Sequence, residues 1–202
     1  MVTLALLSGL LIVMGFTPLG YLKVSGLFEI TFNAVPVAIA AITVGPVGGV
    51  VTGAVFGITS FIQLFSNGDF GMLLFNENPF YMIIMLVVTR IVMGLGAAYI
   101  FKAVKRFNMH AACFATGLGA ALLNTVLYCA CLYFFYGHGK TVQGMMENGG
   151  SIFIFLFGAG IFVNAAVEAV ASTILSGALV MALRHSGFVK ADVKKKAVHS
   201  DK

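Results

Sequence analysis

A few side chains in this sequence could hold a polar ligand inside an apolar environment, and they recur at helical spacing. Arg90 and Glu168 are single charges within long apolar segments. Asn124 and Tyr128 lie four residues apart, as do Asn164 and Glu168, so each pair shares one face of a helix. A guanidinium offers two parallel donors to a carboxylate, and an amide both donates and accepts. These residues could therefore bind a small molecule that carries a carboxylate, an amide and hydroxyls.

Two plainer explanations account for the same residues. A buried ion pair between Arg90 and Glu168 would fix helix packing, and this is as reasonable as ligand binding. Asn124 and Asn164 could instead hydrogen-bond across helices. Their position in the outer halves of their segments favours a pocket. Further residues that we expect near its mouth, where polar loops meet apolar segments, are Phe32, Asn33 and Asn76.

The segments that carry these residues have the composition of membrane spans. The chain is 60% hydrophobic and 9% charged, which is typical of a polytopic membrane protein. A crossing takes ~20 residues, so 202 residues allow about six crossings and leave no room for a soluble catalytic domain. The net charge of +5 lies beside the apolar spans, in loops and the tail. Membrane topology accounts for that charge, so we expect no nucleic-acid partner.

We predict one domain over residues 1–202, an all-α membrane protein with six transmembrane helices. No Lys or Arg precedes the first apolar run, so we expect that run to be retained rather than cleaved as a signal peptide. Glycines at 45, 49, 53 and 57 would form a bare stripe on the third helix, against which another backbone can pack closely. The approximate spans are 2–16, 30–44, 46–65, 80–101, 111–136 and 151–183, followed by a basic tail at 184–202.

Basic residues between the spans predict their orientation. The basic cluster between spans consists of Lys102, Lys105 and Arg106. By the positive-inside rule this turn is cytoplasmic, and the basic tail lies on the same side. Six crossings then place both termini in the cytoplasm. Three longer connections would lie outside as loops that cap an outward-facing ligand pocket: 17–32, 66–79 and 137–150.

Signatures of enzymes and metal sites are missing from the sequence. His, Cys, Asp and Glu do not cluster at metal-ligand spacing, and the aspartates lie in a loop or the tail. The residues GHGK at 137–140 lack the length and the closing GK[ST] of a phosphate-binding loop. We therefore predict no cofactor, no metal and no catalytic residue. A small intramembrane enzyme or a scaffold is the less favoured alternative.

Five features occur in an order that carries a family resemblance. They are a first span with small residues four apart, PLGYLKVSG, EITFNAVPVAIAAITVGPVGGVVTGAVFGITSF, NPF before an Arg-bearing RIVMG helix, and ALLNT. This order resembles the substrate-binding (S) component of an energy-coupling factor (ECF) vitamin transporter. The resemblance covers nearly the whole chain, and the combination of patterns is specific although each pattern alone is loose.

The resemblance implies a fold, a function and partners. Six helices would enclose a vitamin near the outer surface of a prokaryotic cell membrane, with the first loop as a lid. The small face of the first helix would dock on a transmembrane coupling subunit powered by two ABC-type ATPases. Ala5, Ser8 and Gly9 form that face here, with Gly9 replacing the second Ala of the family's Ala-x-x-x-Ala.

The vitamin is suggested by the same resemblance. The sequence is most similar to the pantothenate type, and pantothenate carries a carboxylate, an amide and two hydroxyls. Groups that could satisfy them belong to Arg90, Asn124, Tyr128 and Asn164. The sequence contains no Trp to stack on a large ring, which disfavours thiamine or riboflavin. Folate, cobalamin and riboflavin are the alternative ligands.

Overall fold

The computed structural model describes residues 2–17, 20–25, 28–67, 69–146 and 161–185. Over these residues the chain is a helical bundle with one short β-hairpin near the first helix. Two π-helical turns, Ile84–Val88 and Leu132–Tyr136, follow α5 and α7. The elements in chain order are α1 Val2–Gly15, β1 Tyr21–Ser25, β2 Phe28–Thr31, α2 Ala34–Thr43, α3 Pro46–Asn67, α4 Asp69–Glu77, α5 Pro79–Ile83, α6 Thr89–Val104, α7 Met109–Cys131, α8 Lys140–Met146 and α9 Ile161–His185.

Four segments of the described chain are long and apolar enough to cross a membrane. They are Pro46–Ser66, Pro79–Val104, Met109–Tyr136 and Ala165–Leu183. The apolar helices α1 and α2 have 14 and 10 residues. At about 1.5 Å per residue they are roughly 21 and 15 Å long, less than the ~30 Å of a bilayer's hydrocarbon core. A multi-pass membrane protein is therefore supported, and six crossings stays a prediction.

The second helix begins later than the predicted span 30–44. It covers Ala34–Thr43, because residues 28–31 form a strand that pairs with Tyr21–Ser25. The antiparallel register pairs Lys23 with Glu29 and Tyr21 with Thr31. The predicted loop 17–32 therefore contains a β-hairpin.

The other predicted boundaries differ less from the structure. The predicted spans 46–65, 80–101 and 111–136 correspond to helical segments 46–67, 79–104 and 109–136. Two connections predicted as loops, 66–79 and 137–150, contain the short helices α4 and α8. The last predicted span, 151–183, meets α9 from residue 161 onward. Residues 151–160 of that span and the tail from residue 186 lie outside the described residues.

The glycine stripe of α3 brings the backbones of α3 and α6 into direct contact. A Cβ at Gly49 would overlap the carbonyl oxygen of Gly94, and one at Gly53 would overlap that of Arg90. Gly45 has a different role, since nothing lies within 4 Å of its Cβ position and its φ is 87°. Glycine adopts this left-handed conformation without strain, which suits the turn into α3. The close contact places Arg90 against α3.

A large apolar cluster closes the end of the bundle where α4 and α8 lie. Glu77 joins these two helices, because its carboxylate accepts hydrogen bonds from the backbone nitrogens of Lys140 at 2.8 Å and Thr141 at 3.3 Å. Hydrogen bonding from Thr141 and then from Lys140 lowers the pKa of Glu77 below its ordinary value of 4.5. The buried members of the cluster are Leu64, Phe70, Leu74, Met82, Met85, Leu86, Leu132, Tyr136 and Val142.

Candidate functional site

Arg90 lies inside the bundle, in the first turn of α6, with 6% of its surface exposed. Its Nη1 donates to the carbonyl oxygen of Met85 and to the hydroxyl of Thr89, both at 3.0 Å. The guanidinium carbon lies 5.3 Å from the ring centroid of Phe56 and 5.6 Å from that of Tyr128. Cation–π contacts of this length stabilise a buried guanidinium. Side chains from α3 and α7 thus hold the cation of α6.

The π-helical turn before α6 explains the role of the Met85 carbonyl. At the end of this turn the N–H of Thr89 donates to the carbonyl of Ile84, five residues back, rather than to that of Met85. The Met85 carbonyl instead accepts from the Thr89 hydroxyl and from Arg90. The π-turn therefore orients the guanidinium. Single π-turns inside α-helices often occur at functional sites.

Glu168 of α9 is 3% exposed and is held by side chains from two other elements. Its Oε1 accepts from Nδ2 of Asn124 on α7 at 3.0 Å and from the hydroxyl of Thr31 on β2 at 3.1 Å. The charge of Arg90 acts on the same carboxyl group. Four elements therefore contribute to one buried set of side chains, which we call the polar cluster: Thr31, Arg90, Asn124 and Glu168.

Several buried amide atoms have no hydrogen-bond partner among the described residues. They are Oδ1 of Asn124 and both Oδ1 and Nδ2 of Asn33. Asn33 is fully buried, and although it precedes α2 its side chain makes no capping bond. An unpaired buried polar group costs about 1–3 kcal/mol, so such groups usually have a partner. A bound molecule with both donors and acceptors would supply one.

The structure places the other predicted ligand-binding residues as follows. Tyr128 contacts Arg90, and Phe32 is half-buried just before Asn33. Asn164 lies one helical turn before Glu168 on α9, and its side chain is outside the described part of the structure. Asn76 is exposed on α4. Of the predicted residues, the described interactions connect four: Arg90, Asn124, Tyr128 and Glu168.

Three contacts to these residues were not predicted from the sequence. Thr31 bonds to Glu168, Thr89 bonds to Arg90, and Phe56 lies beneath the guanidinium. The sequence offered a clue to Thr89, because this residue is adjacent to Arg90, a charge within an apolar segment. It offered none to Thr31 and Phe56, because a threonine at the end of a strand and a phenylalanine in an apolar helix are common everywhere.

The small face of α1 is open in this structure. Ala5 and Gly9 are exposed and Ser8 is half-buried, and a Cβ at Gly9 would meet nothing within 4 Å. Leu11 and Gly15 on the same helix are buried, and a Cβ at Gly15 would contact Thr59 of α3. One side of α1 thus packs on the bundle while the side predicted to dock stays uncovered.

An open apolar depression of about 350 Å³ lies elsewhere, on the outer face of α9. It is lined by Ala166, Val167, Val170 and Ala171, and it includes no member of the polar cluster. Within a candidate span, such a surface suits contact with lipid. Among the residues that the structure describes, no group of three His, Cys, Asp or Glu side chains could hold a metal ion.

Comparison with protein families identifies the family to which the chain belongs. A family model described as "ECF transporter, substrate-specific component" matches residues 1–180. The chain belongs to this family. As an ECF substrate-specific component it is the substrate-binding subunit of a transporter, not an enzyme. Membership implies a ligand, together with coupling and ATPase partners in the ECF complex. The comparison with curated proteins found no match.

Proposed function

We propose that this ECF substrate-specific component is the high-affinity vitamin-binding subunit of an ABC-type importer, with pantothenate as its ligand. The observation that carries the proposal is the buried guanidinium of the polar cluster, together with buried amide atoms of Asn33 and Asn124 that have no hydrogen-bond partner among the described residues. A ligand with a carboxylate, an amide and two hydroxyls has the complementary groups. Burial of the three amide atoms that have no partner among the described residues is costly, and a ligand that bonds to them would remove that cost.

Each group of the ligand has a proposed partner. Arg90 would bind the carboxylate, because a guanidinium can donate two parallel hydrogen bonds to it. Asn33 and Asn124 would bind the amide and the hydroxyls through the atoms that have no partner among the described residues. The remaining members would line the site or its mouth. The full proposed set is Phe32, Asn33, Asn76, Arg90, Asn124, Tyr128, Asn164 and Glu168.

We propose six crossings of a prokaryotic cell membrane, with both termini in the cytoplasm. The basic residues at the turn between α6 and α7 support this orientation, since Lys102 and Arg106 are exposed there. The hairpin β1–β2, α4 and α8 would then lie at the outer side and cap the pocket. α1 and α2 would cross as short helices, which bilayers tolerate by local thinning.

The partners follow from the same proposal. The uncovered face of Ala5, Ser8 and Gly9 would dock on a transmembrane coupling subunit, and two ABC-type ATPases would drive transport. Small residues let two helix backbones approach closely in a membrane, where tight van der Waals packing stabilises association. The exposure of Ala5 and Gly9 supports this docking face.

Mass spectrometry of the ligand released on denaturation tests the proposal directly. The protein is purified in detergent, denatured, and the released molecule identified; pantothenate is expected. Calorimetric titration with pantothenate, folate, cobalamin and riboflavin then compares affinities. A protein that releases no vitamin and binds none of the four contradicts the proposal. Tight binding of one of the other three would keep the family function and replace the ligand.

Two asparagine variants supply a matched comparison. Asn33→Ala should weaken pantothenate binding about tenfold, the loss of roughly 1.4 kcal/mol expected for one hydrogen bond. The fold should survive, since Asn33 has no side-chain hydrogen bond to lose among the described residues. Asn76 belongs to the proposed set as an exposed residue of the mouth, where water competes for the same hydrogen bond, so Asn76→Ala should weaken binding less than about twofold. Equal effects of the two variants would argue against Asn33 as a ligand contact.

A further inference from the structure

Two opposite charges are buried together in the polar cluster. Glu168 is 3% exposed and Arg90 is 6% exposed, and both belong to candidate membrane spans. An isolated ion in a medium of low dielectric constant is costly, whereas a neighbouring opposite charge reduces that cost. With both groups ionised, the pair has no net charge.

The surroundings of Glu168 add no further described charge. Thr31 from β2 and Asn124 from α7 bond to it, and the charge of Arg90 from α6 acts on it. Helix α2 also packs against α9, and its sequence contains no titratable residue. β2 additionally carries Glu29, whose side chain is outside the described part of the structure. Arg90 and Glu168 therefore set the charge of the described site.

A ligand carboxylate bound at Arg90 would bring a third charge into this site. The net charge would become −1, which a low-dielectric environment opposes. One proton on the Glu168 carboxylate would restore neutrality. The hydrogen bonds from Asn124 and Thr31 both end at Oε1, so a proton on Oε2 would leave them intact.

We infer that Glu168 couples the binding of an acidic ligand to a proton, so that the acid binds together with one proton from solvent and an uncharged analogue binds without one. Glu168 is then the residue that selects ligands by charge. The inference rests on the proposed function, because it requires a carboxylate ligand at Arg90. It adds a dependence on pH that the identity of the ligand alone does not imply.

Calorimetric titration of the full chain in detergent measures the coupled proton. Pantothenate and its alcohol analogue, which lacks the carboxylate, are titrated at one pH in phosphate and in Tris, whose ionisation enthalpies differ. The difference in binding enthalpy between the buffers gives the number of protons taken up. About one proton is expected for the acid and none for the alcohol. Where one full proton is taken up, affinity for the acid should fall about tenfold for each unit rise in pH.

Two variants locate the proton. Glu168→Gln keeps an oxygen that can accept from Asn124 and Thr31 but carries no titratable group. Proton uptake should therefore disappear, and the affinity for the acid should become independent of pH. Glu29→Gln is the control, since it removes a carboxylate from β2 and should leave the uptake of one proton unchanged. If Glu168→Gln does not fold, the comparison of buffers on the wild type still decides whether a proton is taken up.

The outcomes separate this inference from the proposed function. Binding of the acid to the wild type without proton uptake overturns the inference and leaves pantothenate as the ligand. Uptake that persists in Glu168→Gln, or disappears in Glu29→Gln, overturns the assignment to Glu168. If neither the acid nor the alcohol binds to the wild type, the pantothenate proposal fails, and the inference fails with it.

Discussion

The contact between Gly49 of α3 and Gly94 of α6 should tolerate no added carbon atom. A Cβ on either glycine would overlap the carbonyl oxygen of the other. The obstacle is backbone on both sides, so a change of side-chain rotamer cannot relieve it. Only a separation of α3 from α6 can make room, and Arg90 lies one helical turn from Gly94. We therefore expect Gly49→Ala to lower both stability and ligand affinity.

The expected loss follows from two opposing effects. Overpacking a well-packed interior costs about 1–3 kcal/mol, and backbone overlap favours the upper end of that range. Ala is favoured over Gly in a helix interior by about 1 kcal/mol. The net destabilisation is then about 2 kcal/mol, or roughly 4–8 °C in melting temperature for a chain of this length. In the double variant with Gly94→Ala, one displacement relieves both overlaps, so its cost should be less than the sum of the two single costs.

A thiol-reactive dye can follow thermal unfolding, because Cys113 is buried in the fold and the sequence contains no Trp. Gly9→Ala and Gly144→Ala are matched controls, since a Cβ at either position would meet nothing within 4 Å. These controls should melt at or above the wild-type temperature. The reasoning is refuted if Gly49→Ala melts as high as they do.

Three further predictions concern binding, pH and docking. Arg90→Lys keeps the charge but loses the planar guanidinium, so the affinity for pantothenate measured by calorimetry should fall at least about tenfold. The affinity for the alcohol analogue should fall much less. Equal losses of affinity would exclude Arg90 as the partner of the carboxylate. Because the pKa of Glu77 is lowered in the folded protein, its stabilising effect should be complete above its ordinary value of 4.5 and lost as pH falls through the lower folded value. The difference in melting temperature between wild type and Glu77→Gln should thus be constant at neutral pH and shrink in acid; a difference that grows in acid would contradict this. Gly9→Leu should block vitamin uptake by the reconstituted complex without weakening vitamin binding. Thr3→Leu, at an exposed position on a different side of α1, should leave both uptake and binding unchanged. Wild-type uptake by Gly9→Leu would exclude the docking face.

Some features of this protein follow from short stretches of sequence. The membrane class could be predicted because hydropathy is a property of ~20 consecutive residues. The stripe of Gly49 and Gly53 predicted a close backbone contact, since residues four apart share one helix face. Arg90 and Glu168 were identified as candidates because a charge inside an apolar segment is visible without knowing its neighbours. Such features need no information about the rest of the chain.

Other features were decided only by tertiary structure. Thr31 and Glu168 are 137 residues apart in the chain, and their hydrogen bond exists because the bundle brings β2 beside α9. The start of α2 at residue 34 rather than 30 depends on strand pairing between residues 21–25 and 28–31. Strand pairing and side-chain contacts of this kind depend on packing partners, which local propensity does not encode. How the helices pack decides whether a polar side chain on one helix faces a partner on another.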